Sequence, residues 1–196
     1  QVVSSAGGLF ISARISGPGG LTKENGGLLV LTSTNDFTGP VTVNDGMLRL
    51  ENNGALNGVT GVTLDRSGIL GLRDVTIANK TLTINSTNAG LVAVISDPST
   101  WNGPIQLNFT GMARFNAGSQ SASLRLMGSI QGTGGIWFGG GTVELLANNT
   151  FTGPVRSACE LLLLNTGSGR PFSGSLEVGG AYDFVPFTEG EFLFPQ

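Results

Sequence analysis

The sequence predicts an all-β fold, a right-handed single-stranded parallel β-helix (β-solenoid) of about eight or nine coils, each about 20 to 25 residues long. Three observations predict it. Glycine supplies 32 of the 196 residues without a period of three, so it serves turns rather than a collagen-like helix. Short β-prone runs recur along the whole chain. A five-residue pattern of aromatic, polar, Gly, Pro and branched apolar residue returns at 37–41, 101–105 and 151–155.

The strands are Leu28-Leu-Val-Leu31, Val41-Thr-Val43, Met47-Leu-Arg-Leu50, Val75-Thr-Ile77, Leu82-Thr-Ile84 and Leu161-Leu-Leu-Leu164, each about four residues long. Between them stand Asn-Asp-Gly, Asn-Asn-Gly, Asn-Ala-Gly and Gly-Gly, which reach the positive φ angles that tight corners need. No dozen-residue stretch has a 3.6-residue period, so essentially no helix is expected. Ile15-Ser-Gly-Pro-Gly-Gly-Leu21 precedes the first copy of the motif much as Ile130-Gln-Gly-Thr-Gly-Gly-Ile136 precedes the last. The repeat unit thus spans at least two strands and two corners. Proline gives a ladder no N–H, so Gly39-Pro40, Gly103-Pro104 and Gly153-Pro154 are expected at equivalent corners. Inward Leu, Val and Ile should stack in columns while Thr and Asn face out. Asn52-Asn53 and Asn148-Asn149 are the candidates for amide ladders between coils.

Residues 17–58 follow a specific pattern: Gly19-Gly-Leu-Thr-Lys23, Leu29-Val-Leu31, Asn35-Asp-Phe-Thr-Gly39, Val41-Thr-Val-Asn-Asp-Gly46 and Met47-Leu-Arg-Leu50. Residues 130–165 follow it more loosely. The chain thereby resembles the autotransporter-associated β-strand repeat family, with Pro40 standing where the family usually has a second Gly. The resemblance implies a right-handed parallel β-helix displayed outside a bacterial cell, commonly as the passenger of an autotransporter, and it implies no reaction. A passenger and a C-terminal membrane barrel do not both fit in 196 residues, and the ending from Tyr182 to Gln196 supplies no series of about ten-residue alternating strands.

Composition excludes several function classes. Ten basic residues, scattered singly within a net charge of −3, provide no field for nucleic acid. The absence of histidine removes the usual general base and the commonest metal ligand. The densest titratable cluster is Asp65-Arg66 with Arg73-Asp74, which would share a face only if the turn between them folds back, and a surface ion-pair cluster is expected there. Gly132–Trp137 and Gly139–Val143 lack the Asp of calcium-binding solenoid repeats. Trp101 and Trp137 are read as corner packing, because Phe37 and Phe151 occupy the equivalent motif positions. Cys159 has no partner for an intrachain disulfide and reads as a small buried apolar residue. The expected protein is not an enzyme, needs no cofactor or metal, and has no membrane span. Gln1 is read as following a removed signal peptide, with an extracellular or cell-surface location.

A single domain is expected, with an N-terminal cap or assembly segment at 1–16, coils at 17–169 and a C-terminal cap or assembly tail at 170–196. The open ends of a solenoid expose strand edges and core. Val2, Val3, Leu9, Phe10 and Ile11 at one end, and Phe184, Val185, Phe187, Phe192, Leu193 and Phe194 at the other, are unusually apolar for termini and form the candidate subunit interface. Head-to-tail mating of such ends would make the chain its own partner and yield a filament. The alternative is an adhesin or passenger module that binds a cell surface or glycan.

Overall fold

The computed structural model describes residues 2–3, 8–93, 98–163 and 175–178. Among them every regular element is a strand, and every strand pair is parallel. The strands stack as a β-solenoid of about seven turns, against the eight or nine expected. Turns differ in length: the register advances 19 residues from Leu28 to Met47 and 25 from Ile105 to Ile130.

Three walls enclose the core. The first stacks Leu21–Glu24, residues 41–43 and 61–64, Thr81–Ile84, Ile105–Leu107 and Ile130–Gly132. The second stacks Gly8–Ile11, Leu28–Leu31, residues 47–50 and 69–72, Gly90–Ala93, Met112–Asn116, Gly135–Gly139, Val155–Ser157 and Leu176–Val178. The third stacks Thr76–Ala78, Ser99–Asn102, Ser123–Leu126, Thr142–Leu145 and Glu160–Leu163. Strands Val41–Leu50 and Gly61–Leu72 run unbroken through the corner from the first wall to the second, with an irregularity between Val43 and Asp45.

Side-chain alternation puts the core inside the walls. On the second wall, Leu29, Leu48, Leu70, Leu91, Phe115 and Phe138 form one buried column, each contributing roughly 1.5–3 kcal/mol. Phe115 and Phe138 close it edge to face, with ring centroids 6.0 Å apart. Trp101 and Phe151 are fully buried, as the reading of these aromatics as packing residues requires.

The Gly-Pro corners are not all equivalent. Gly39-Pro40 and Gly103-Pro104 both lead into the first wall, at Val41 and Ile105, the second of them from the third-wall strand Ser99–Asn102. Gly153-Pro154 leads into the second wall, where Val155 stacks on Ile136. The last repeat is therefore displaced by one wall. Its local packing is nevertheless unchanged: Leu21 N–H donates to Pro40 O at 2.9 Å, and Ile136 N–H donates to Pro154 O at 2.9 Å. A Cβ on Gly39 would meet the backbone of Gly19 and Gly20, and one on Gly153 would meet that of Gly134 and Gly135, all within 2.6 Å. The unit that repeats is thus a corner laid on the corner below it, and that unit fits any edge of the rod.

The second wall differs from the others. First- and third-wall strands such as Leu21–Glu24 and Ser123–Leu126 alternate buried with partly exposed residues. Leu28–Leu31 and Gly135–Gly139 are buried throughout. A wall buried on both faces reads as a continuous apolar run, which is what Leu28-Leu-Val-Leu31 is.

Candidate functional site

Charged and polar groups gather at corners and wall exits, where the chain must satisfy backbone left out of the ladders. The corner after residues 21–24 holds the most unusual one. Lys23 points inward and is fully buried, in the column that Val43, Leu64 and Ile84 occupy in later turns. Its ammonium donates to the carbonyls of Glu24 at 2.9 Å and Asp45 at 3.1 Å, and to that of Asn25. Burial pushes its pKa below the ordinary lysine value, with the charges of Asp45 and Glu24 opposing the shift. Gly46, at φ 68°, leaves room for this arrangement, because a Cβ there would lie 2.8 Å from Nζ.

Outside the same corner Arg66 pairs with Glu24 at 2.6 Å and Asp45 at 3.5 Å, and Asn44 donates to Glu24 at 2.6 Å. Asp65 faces a different partner: Asn85 donates to it at 2.8 Å, and Asn108 donates to Asn85 at 3.3 Å. Arg73 sits past the next corner with Glu51 at 3.1 Å. The four residues Asp65, Arg66, Arg73 and Asp74 therefore do not converge. Residues 61–72 run as one strand between the two pairs, and each pair meets groups from neighbouring turns. Arg66 and Arg73 thus pair with Glu24, Asp45 and Glu51 of other turns, and the ion-pair cluster expected of the four residues together does not form.

The amide ladder exists, but at Asp65, Asn85 and Asn108 rather than at the Asn-Asn pairs named from sequence. Asn52 and Asn53 instead accept from the backbone N–H groups of Gly54 and Thr76. Two other asparagines staple turns together. Buried Asn35 accepts from Ile15 N–H at 2.9 Å and donates to Ala55 O at 2.9 Å, so one side chain links three turns. Asn149 holds the equivalent motif position and accepts from Ile130 N–H at 2.9 Å. Asn two residues before an aromatic was the signal for both.

Of the terminal residues singled out, Val2 and Val3 form a strand beside Lys23 and Glu24 of the first wall. Leu9 and Phe10 are exposed, at 41% and 60%, while Ile11 is half-buried against the core. Phe184, Val185, Phe187, Phe192, Leu193 and Phe194 lie outside the described residues. Cys159 is partly buried against the core, and burial raises its pKa to about 11. Among the described residues no helix is long and apolar enough to cross a membrane.

These walls, columns and stapled corners define a parallel β-solenoid built from degenerate repeats. The family model described as passenger-associated-transport-repeat matches residues 21–50 and 138–156. The two matches start on different walls, as the displaced corner requires. The chain is also similar to the adhesin BmaC autotransporter of Brucella suis biovar 1 (strain 1330), at 31% identity over 45% of this chain. It spans 3% of that protein's length. No solved structure matches the chain.

Proposed function

We propose that this chain is a rod segment of a surface-displayed, autotransporter-type passenger, one that holds binding surface away from a bacterial cell and catalyses no reaction. The observation that carries this reading is the pairing of passenger-type repeats with an unbroken run of parallel ladders, because such a stack converts sequence into length at about 4.8 Å per turn. The similarity to an autotransporter adhesin supports a location at the cell surface and a role in adhesion. The separation of Asp65, Arg66 and Arg73 onto partners from other turns supports the absence of catalysis. The test is to place the chain between a secretion leader and a membrane barrel in a heterologous bacterium. Protease-accessible chain on the cell surface, with adhesion to epithelial monolayers or glycan arrays above an empty-barrel control, supports the reading. Display without any added adhesion removes the adhesive role, and failure to reach the surface removes the passenger role.

A second reading, assembly of the rod end to end, rests on one observation. Gly8–Ile11 pairs with a single neighbour among the described residues, and its inward Leu9 and outward Phe10 stay exposed. A parallel strand from a second copy would extend this edge, and the chain would then polymerise head to tail. Sedimentation velocity over a concentration series decides it. Polymer that disappears in Leu9→Ser/Phe10→Ser supports assembly, and a monomer at every concentration rejects it.

A further inference from the structure

We propose that the outer face of the first wall is a docking surface for the same face of a second copy of this chain. Register along this wall is continuous from residues 21–23 to residues 130–132, and it stacks Thr22, Thr42, Thr63, Thr83, Gln106 and Gln131 in one outward, uncharged column. All six keep part of their surface in water. Thr22, Thr42, Thr63, Thr83 and Gln106 make no side-chain hydrogen bond among the described residues, and the Gln131 amide donates to Ser129 at 3.4 Å. Outward polar groups elsewhere bond between turns. On the third wall Arg125 donates to Glu144 at 2.9 Å and Thr142 to Glu160 at 2.7 Å, and at the exit of the first wall Asn44 donates to Glu24 at 2.6 Å. The column therefore keeps its donors and acceptors for solvent or for a partner.

Period and chemistry identify the partner. The rungs repeat at about 4.8 Å, so a ligand of another period drifts out of step along the column, whereas a second copy has this period by construction. A Thr hydroxyl and a Gln amide each donate and accept, which makes the column complementary to itself, as a two-fold interface requires. Flat sheets bearing such side chains close face to face by interdigitation. With the two rods antiparallel and the axis between Thr63 and Thr83, Thr63 of one rod faces Thr83 of the other, Thr42 faces Gln106 and Thr22 faces Gln131. Along the neighbouring exit column Asp65 then faces Asn85, and Asn44 faces Asn108, so the carboxylates of Glu24 and Asp65 oppose neither each other nor themselves. Strands about 4.8 Å apart and about 13 Å wide offer roughly 350 Å² from each rod. That is under half of the roughly 800 Å² per partner of a stable complex, so one pair is weak and the contact acts through many rods held together. Rods fixed at one surface run parallel, and this antiparallel contact joins rods on facing surfaces. That use rests on the surface-display reading above, and the pairing itself does not.

The experiment couples the full chain densely to beads. Secretion plays no part in it, so its failure leaves the surface-display reading standing. Wild-type beads should cluster with one another and not with blank beads. Thr63→Lys/Thr83→Lys sets ammonium groups opposite each other across the interface, and these beads should stay dispersed while circular dichroism shows the chain folded. Thr76→Lys, on the third wall, should cluster as the wild type does. Dispersed wild-type beads, clustering by Thr63→Lys/Thr83→Lys, or loss of clustering in Thr76→Lys overturns the proposal. Wild-type beads that stay dispersed but are retained on a neutral polysaccharide, with retention lost in Thr63→Lys/Thr83→Lys, give the face to a glycan and overturn it too. Oxidation in a Cys159→Ser background reads the orientation. Thr63→Cys mixed with Thr83→Cys should form a disulfide-linked dimer faster than either variant alone, and equal rates overturn the antiparallel pairing.

Discussion

Lys23 and Asn35 show how single side chains close a coil whose backbone cannot. Lys23→Met leaves the carbonyls of Glu24, Asn25 and Asp45 without their shared donor, and we expect a loss of about 2–4 kcal/mol in chemical denaturation. The pH dependence has a definite sign. Burial lowers the folded-state pKa below the ordinary 10.5, so between the two values the unfolded chain binds more protons and stability rises with pH. Relative to Lys23→Met, the wild-type protein should therefore gain stability as pH is raised toward the ordinary lysine value of 10.5. A constant difference across that range would reject the buried ammonium. Asn35→Ala removes two bonds that join three turns and should cost about 2–3 kcal/mol, more than Asn149→Ala, where one such bond is formed. Equal losses in parallel urea titrations would show that the second bond adds nothing. Neither residue is distinguished by composition. Lysine in a short strand reads as a surface residue, because its burial depends on carbonyls 22 residues away that only the coil brings near.

At the scale of the element, the unit of construction is one corner set on another. Gly39 and Gly153 occupy this place on different walls with the same backbone atoms beneath them. Gly39→Ala and Gly153→Ala should each destabilise by about 1–3 kcal/mol, since the new methyl meets fixed backbone rather than a movable side chain. Gly19→Ala, with open space around the new atom, should stay within about 0.5 kcal/mol. Thermal melts of the three variants check the order, and a Gly19 variant as unstable as the other two would refute it. Strands such as Val41–Val43 and Leu82–Ile84 were legible, because period-2 alternation between Gly-rich corners survives in them. The wall on which each repeat falls was not. Turn length varies between Leu28 and Ile130, and a sequence motif records its neighbour in the stack but not its bearing around the axis.

For the whole molecule, this arrangement makes length an adjustable quantity. Each turn touches the turns on either side of it, so stability should behave as a sum of intrinsic terms and nearest-neighbour interfaces. Removing a full turn in register should then leave a shorter rod of the same kind. The segment 83–105 is suited to the test. With it excised, Leu82 leads directly into Gln106 and takes the place of Ile105 beneath Ile130. Asn108 then falls where Asn85 was, within reach of Asp65, so the amide ladder closes again. On the second wall Leu70 meets Phe115, and on the third Ile77 meets Leu126. Circular dichroism should retain its β signature, small-angle scattering should record a rod shorter by about 4.8 Å, and the melting temperature should fall without loss of the transition. Excising 83–98 instead would leave later strands a fraction of a turn out of step, and should unfold the stack above the cut. A full-turn deletion that fails to fold while the partial one survives would overturn the nearest-neighbour description, because it would mean that distant turns hold each other in place.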